Sequence, residues 1–374
     1  MIIELHMLQN FAPSCLNRDD TNSPKECEFG GYRRARISSQ CIKRAMRWDS
    51  TFQKLMEANG GVRTKQLIPE IAKQLKSKGV TTDKLSKLIS DVFDEAGISS
   101  DKKDERTDII FFIDKASIDK MVGLFQSNLP SLEKGSKDTK SEIIKKLGEI
   151  LANSIKVPDI ALFGRMLAIK PDKPLGKMNL NVLAACQVAH AISTNRVNTE
   201  FDFYTAVDDL QPKETAGAGM MGTIEFNSAC YYRYANIDLK QLKDNLSGDE
   251  ELARKTVKAF LKAAVNAIPT GKQTSMAAQN PPSFVFAVVR DSGAWSLANA
   301  FAKPVSSNSG DLVQNSISAL VNYWGRLTKA YGSETIMAKP ALALDEGIEL
   351  GGLEPVENLE TLIGTVMQKI SFAG

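Results

Sequence analysis

Hydrophobic and polar positions along the chain fall into a recurring order of elements. Ile2 to Leu8 alternates around Glu4 and His6, the period-two signature of a strand. A long polar loop, SCLNRDDTNSPKECEFGG, follows. Beyond it Ile42, Ala45, Met46, Phe52, Leu55 and Met56 recur at helical spacing. Ser38 or Ser39 serves as N-cap and Gly60-Gly61 as stop, so the spacing predicts a helix from about Ser39 to Ala58. Between residues 62 and 180 Lys and Ser become frequent and helical periods dominate, as at Leu85, Leu88, Ile89, Val92 and Phe93 and again in SEIIKKLGEILANSI. IIFFI, after Asp108, reads as a short strand within this mostly helical stretch. The core pattern resumes near Leu183, where Cys186, Val188, His190 and Ile192 alternate as a strand. Arg196 to Phe226 reads as irregular, with a Gly/Met-rich tip, GAGMMG. An aromatic strand, EFNSACYYRYANI, comes next. The helix DEELARKTVKAFLKAAVNAI then presents Val257, Phe260, Leu261, Ala264, Val265 and Ile268 on one face, SFVFAVV reads as a buried strand, and a last helix surrounds Leu320 to Leu327.

The order strand, helix, strand, strand, helix, strand is the split βαβ, ferredoxin-like arrangement shared with RRM domains. The expected fold class is α+β. A helical insertion follows the first helix, and an extended arm separates the second and third strands. The 374 residues suit two domains or one with large insertions. Charge is nearly balanced, 47 Lys and Arg against 44 Asp and Glu, which fits an ordinary globular chain and argues against a disordered or coiled-coil one. No apolar run reaches the roughly 18 residues of a membrane span. MIIELHMLQNF lacks the basic start and small-residue cleavage site of a secretory leader. His6 and His190 are the only histidines, so HExxH and Cys2His2 zinc chemistry have no ligands. Cys15, Cys27, Cys41, Cys186 and Cys230 form no CxxC and read as scattered thiols in a reducing cytosol. Neither a metal nor a cofactor is expected.

Charge is uneven locally. Tyr32 to Trp48 carries Arg33, Arg34, Arg36, Lys43, Arg44 and Arg47 and no acid. Ser38, Ser39 and Gln40 sit at a helix N-terminus, where free N–H groups and the dipole favour an anion. Lys43 and Arg47, four apart, share a face. This is either a phosphate-binding footprint or a solvated basic face. Two nucleotide motifs fail. TGKQT has Asn266 where a Walker A loop needs Gly, and Gln273 where it needs Ser or Thr. GAGMMG follows polar QPKETA and precedes a strand, so it is no Rossmann turn. Asp19 and Asp20 offer a candidate Mg²⁺-dependent nuclease site or, by pairing with Arg18 or with an Arg of a neighbour, a way of ordering the loop. YYRYANI does not fit the RNP1 consensus, and His6 and His190 read as satisfied sheet residues.

PSCLNRDD, FGGYRRARISSQCIKRAMR, ALFGRM, AHAIST, FYTAVDDLQ, GTIEF, YYRYANIDL and TGKQTSMAAQNPP occur in this order. Together they resemble the backbone subunit of the type I-E CRISPR surveillance complex Cascade, the CasC or Cas-seven group. The resemblance covers almost the whole chain and is loosest in the helical insertion and the tail. It implies an RRM-like palm (1–57, 181–196 and 227–374 with a C-terminal extension), helical fingers (58–180) and a β-hairpin thumb (197–226). It implies a cytoplasmic, non-enzymatic protein that polymerises head to tail along a CRISPR guide RNA, beside other Cascade subunits, and presents the guide to target DNA. In related type III subunits an Asp of the equivalent loop cleaves RNA, whereas the type I-E relatives are not nucleases. Carried onto this chain, the guide contacts are Arg18, Lys25, Ser38, Gln40, Lys43 and Arg47, with Lys272 and Gln273 as a second phosphate loop. Phe203, Tyr204, Val207 and Met221 become thumb residues that pry a base from the stack, with Met166 as the fingers-side wedge.

Overall fold

The computed structural model describes residues 1–372 apart from 57–59, 83, 102, 155, 207–219 and 307–309. In chain order the elements begin with β1 (Ile2–Ser14), β2 (Glu26–Phe29), β3 (Tyr32–Ile37), α1 (Ser39–Arg47) and α2 (Ser50–Met56). There follow β4 (Gly61–Thr64), α3 (Leu67–Ser77), α4 (Leu85–Ala96), β5 (Phe111–Asp114), α5 (Lys115–Glu133), α6 (Lys137–Asn153) and α7 (Pro158–Phe163). Then come β6 (Cys186–Val188), β7 (Ala191–Ser193), β8 (Glu200–Ala206), β9 (Met220–Asp238), α8 (Leu239–Asn245), α9 (Glu250–Asn266), α10 (Gln273–Met276) and β10 (Phe284–Arg290). The chain closes with α11 (Leu312–Tyr331), β11 (Ile336–Ala338), β12 (Pro340–Ala343), β13 (Glu354–Pro355) and α12 (Leu359–Lys369).

Three local expectations are corrected. The helix predicted from Ser39 to Ala58 is two helices, and Ala58 lies outside the described residues. Asp49 ends the first: its Oδ1 accepts the N–H of Thr51 at 2.9 Å and of Phe52 at 3.4 Å, taking donors that open α2. The strand predicted over Cys186–Ile192 is β6 and β7, because the alternation slips between them. Cys186 and Val188 are buried, then Ala191 and Ser193, which leaves His190 exposed. The polar first loop contains a hairpin, β2–β3. Gly30 and Gly31 turn it with φ +63° and +79°, a two-residue turn glycine enters without strain.

By contacts the chain divides into two compact units. The first comprises Met1–Phe52, Gln187–Asp238 and the chain from Val257 onward. Its sheet runs β13-β12-β10-β1-β9-β7-β3-β2, with β11 on β10 and β6 and β8 on β9. The four central strands, β10-β1-β9-β7, stand in the order fourth, first, third, second of a split βαβ core, so the RRM-like palm is present with insertions. β1 is antiparallel to β10 (Ile2↔Arg290) and to β9 (Ile2↔Asp238). Alternation splits the central strands into two buried faces. On one, Met7, Arg233 and Ala235 meet Ile42 and Met46 of α1 and Ala264 of α9. On the other, Leu8, Tyr232, Tyr234, Phe286 and Val288 pack under Ile317, Leu320 and Trp324 of α11. His6 lies among these rings, 0% exposed, with Nδ1 2.8 Å from the Tyr232 hydroxyl. RRM modules use aromatic side chains of that sheet face to stack bases. Here the face is covered, so its aromatics belong to the core.

The second unit comprises Gln53–Cys186 and Leu239–Thr256. Leu75, Ile89, Phe93, Phe125, Ile143 and Leu147 share one helical core, and Phe111 and Ile113 of β5 join it. The expected strand at IIFFI is this β5, paired with β4 from Gly61↔Asp114 to Thr64↔Phe111. Among the described residues no helix is long and apolar enough to cross a membrane.

Candidate nucleic-acid interface

The basic run divides between core and surface. Arg34 is 0% exposed. Its Nη1 donates to the carbonyls of Ser193 (2.9 Å) and Thr194 (2.7 Å), and its Nη2 to those of Phe301 (2.6 Å) and Ala302 (3.3 Å). Burial pulls its pKa down. Arg33 pairs with Glu26. Three of the six charges therefore lie on β3, and Lys43, Arg44 and Arg47 lie on α1. The run is not one continuous phosphate-binding element, because a strand and a helix point its side chains in different directions.

At the start of α1, Ser38 is the N-cap, and its Oγ accepts Cys41 N–H at 3.3 Å. The N–H of Ser38 donates to Asn17 Oδ1 at 2.8 Å, and Lys25 N–H donates to the Asn17 carbonyl at 2.8 Å. Asn17 thus ties the first loop to the helix N-terminus, a role that sequence reasoning missed. The first turn of α1 holds no acid, and its last turn holds Arg44 and Arg47. Ile42 and Met46 face the core, so Gln40, Lys43 and Arg47 occupy the opposite arc. Gln40 is exposed and Lys43 and Arg47 half-buried.

Asp19 orders the first loop. Its Oδ1 accepts the Thr21 hydroxyl at 2.7 Å and the N–H groups of Thr21 (2.9 Å) and Ser23 (3.0 Å). These bonds, the Thr21 hydroxyl foremost, hold its carboxyl below the usual range. Arg18 Nη1 donates to Asn22 Oδ1 at 3.1 Å rather than to Asp19 or Asp20. Among the described residues no group of three or more His, Cys, Asp or Glu side chains is placed to hold a metal ion.

The TGKQT segment packs against the same loop. A Cβ on Gly271 would collide with the carbonyls of Leu16 and Cys15, so only glycine fits. Lys272 takes the left-handed conformation, φ +51°. Gln273 Nε2 braces the turn, donating to the carbonyls of Pro269 and Ala278 at 3.1 Å each. Burial raises the Cys15 thiol pKa, while the charges of Arg18 and Lys272 pull it back, so both cations stand near Cys15. An open groove of about 900 Å³ runs along these parts, lined by Arg18, Arg44, Trp48 and the Pro269–Gly271 backbone among others. Lys25, Lys43 and Arg47 lie outside its lining. Arg44, counted in the basic run but not among the guide contacts, lines the groove together with the exposed Trp48, which sequence reasoning missed; their helical phase, one turn apart, was the available signal.

The stretch expected to be irregular from Arg196 to Phe226 contains a regular ribbon, with β8 paired to the outer half of β9 from Glu200↔Phe226 to Ala206↔Met220. Val207 and Gly217 lie outside the described residues. Opposed residues share a face of such a ladder. Phe201, Phe203 and Met221 occupy one face, 67%, 63% and 65% exposed. Tyr204 lies on the other face over Gly222, where a Cβ would stand 2.6 Å from its Cζ. Phe201 alternates with Phe203 in the sequence and was not singled out. In the second unit Met166 is 83% exposed. Its neighbour Arg165 is buried and donates to the Leu180 and Leu151 carbonyls and to Ser154 Oγ, which anchors the backbone that presents the methionine.

A sequence profile described as CT1975-like protein matches residues 3–363. The structure superposes with a TM-score of 0.85 on a chain of a pre-nicking CRISPR RNA-guided surveillance complex; the two are 29% identical, over 98% of this chain and 99% of that one. A chain of another CRISPR RNA-guided surveillance complex is 24% identical with a TM-score of 0.62, over 98% and 99% of the two chains, a likeness of fold. A search among curated proteins found no match.

Proposed function

This chain belongs to the CT1975-like protein family, and from that premise we propose that it is a guide-RNA-binding backbone subunit of a CRISPR surveillance complex of type I-E. Copies line up head to tail along the CRISPR RNA in the cytoplasm, beside the complex's other subunits, and present the guide for pairing with target DNA. The observation that carries the reading is the start of α1, an acid-free helix N-terminus tied to a basic loop by Asn17. Its Ser38 and Gln40, with Arg18, Lys25, Lys43 and Arg47, would hold successive phosphates, and Lys272 would add a contact from the loop that Gln273 braces. Such contacts read charge and backbone shape, and base pairing reads the sequence. The covered aromatic face of the sheet supports the same division.

We assign 1–57, 181–196 and 227–374 to the palm, 58–180 to the fingers, and 197–226, which carries the β8–β9 ribbon, to the thumb. The apolar ribbon face of Phe203 and Met221 fits insertion between base steps, where side chains offset lost stacking. Tyr204 supports the ribbon from its other face, and Val207 and Met166 complete the proposed wedge set. The role is one of scaffolding. Asp19 serves the loop, and neither it nor Asp20 is assigned a catalytic part.

The test is Lys43→Ala and Arg47→Ala in complexes reconstituted on guides of different sequence. Affinity should fall about equally for every guide, and each lost contact on a single strand should shallow the salt dependence by about 0.7. A loss that varied with guide sequence would contradict the phosphate assignment.

A further inference from the structure

The phosphate contacts proposed above come from α1, the first loop and the 269–278 turn. A further pair of donors stands at the break between β6 and β7. Arg36 Nη1, on β3, lies 3.1 Å from Nδ1 of the exposed His190. A guanidinium only donates. Nδ1 is therefore the acceptor, and the proton of the neutral ring sits on Nε2. The contact fixes the tautomer and leaves an N–H donor on the far side of the ring from the guanidinium. Arg36 is steadied at its other end, where Nε donates to the Glu26 carbonyl at 3.2 Å.

The charges around the ring are of one sign. Burial first, then Arg36 from β3 and Lys25 from the first loop, lower its pKa, and no carboxylate opposes them. On β2 the Glu26 carboxylate is engaged by Arg33 and, at 2.6 Å, by the Thr199 hydroxyl. A guanidinium and an imidazole side by side, with an ammonium near, repel one another when the ring protonates. An anion bound there turns that repulsion into attraction.

We propose that Arg36 and His190, flanked by Lys25, form an additional phosphate-binding site at the break between β6 and β7, taking a phosphodiester of the guide strand. The proposal rests on the RNA-binding reading above. His190 is then a binding residue and not a satisfied sheet histidine.

The chain suits a direct test. It has two histidines, and His6 is held neutral down to about pH 3, so the signal of the exposed His190 can be followed apart from it. Imidazole ¹⁵N resonances should be followed with pH, with and without a single-stranded RNA oligonucleotide, and with inorganic phosphate as the minimal probe. RNA should raise the His190 pKa, since a bound anion favours the charged ring. His190→Ala should weaken RNA binding about three- to tenfold, the worth of one hydrogen bond, and His190→Gln should recover part of the loss by restoring a donor. Arg36→Gln should also shallow the salt dependence by about 0.7. An unmoved His190 resonance at saturating RNA, in protein whose affinity falls on Lys43→Ala, overturns this site and leaves the function standing. Absence of RNA binding by the unsubstituted protein overturns both.

Discussion

Arg34→Met asks whether the basic run divides as the structure places it. The substitution keeps most of the buried side chain's volume and removes its charge and donors. Four carbonyls, of Ser193, Thr194, Phe301 and Ala302, lose a partner. The Thr194 carbonyl keeps the Val305 N–H at 2.9 Å, and each of the other three costs about 1 kcal/mol when left unpaired in the interior. The Nε–H, buried without an acceptor, gives back about 1 kcal/mol on removal. The net loss is about 2 kcal/mol, a fall of roughly 4–8 °C in melting temperature for a unit on the order of 200 residues. Arg33→Met, on the exposed neighbour, should stay within about 0.5 kcal/mol. Scanning calorimetry of the isolated subunit measures both. RNA affinity, taken well below the transition, should be unchanged for Arg34→Met and reduced for Lys43→Ala. An Arg34→Met protein that melts normally and binds RNA weakly would put the guanidinium on the ligand and refute the division.

His6 sets a pH dependence. Its folded pKa is pushed down to about 3 by burial, with Arg290 adding to the effect. Between that value and the unfolded value near 6.5 the unfolded chain binds the extra proton, so stability falls as pH drops, by about 2 kcal/mol from pH 7 to pH 5. Urea unfolding of His6→Phe should lose that share of the slope, and an identical slope in both proteins would contradict it. Gly271→Ala should displace the turn from the Leu16 carbonyl, weakening RNA binding while the melting temperature moves only a few degrees; full RNA affinity would show that the turn's position is immaterial. Met166→Ser with Met221→Ser should leave the palm folded and guide binding intact. Chemical probing should then show a weaker periodic distortion of the guide, and an unchanged pattern would assign both methionines to packing. The isolated subunit with RNA should form heterogeneous oligomers by light scattering, since head-to-tail contacts do not close on themselves; a strictly monomeric complex at micromolar protein would refute this.

The palm was legible because its strands bury regular faces. Leu8, Tyr232 and Phe286 recur with the alternation that the sheet requires, and the apolar face of α9 keeps its period without interruption. What escaped obeys other physics. The β8 ribbon is exposed on both sides, so EFDFYTA has no buried face to impose a polar–apolar alternation. Asp49 ends a helix whose apolar period continues through Phe52 and Met56, because the carboxylate satisfies local donors without disturbing the hydrophobic spacing. Gly30-Gly31 marked a turn, but the flanking strands are short and polar. Charge counting treated Arg34 and Lys43 alike, and only the carbonyls gathered from distant segments tell them apart. Of the candidate site, the cap at Ser38 and the helical arc of Lys43 and Arg47 followed from spacing. Asn17 and Arg44 did not, because their roles depend on loop closure and on where the 269–278 turn returns.

β9 is a single strand with two employments. Its inner half is hydrogen-bonded to β1 on one side and β7 on the other, while Met220–Phe226 runs outward with β8 alone. At about 3.3 Å per residue that outer half is roughly 23 Å long. It is a lever rooted in the palm: a bend of about 10° at Asn227 would carry the tip through roughly 4 Å, about one base-stacking step. The fulcrum is stiffened by Ser228 Oγ, which donates to the Phe11 carbonyl at 2.7 Å, and by Tyr231, whose ring meets Phe11 edge-on at 5.8 Å. Leverage of this kind makes aim a property of the root. Changes at Phe11 or Tyr231 should therefore shift where Met221 lies without any change to the tip itself.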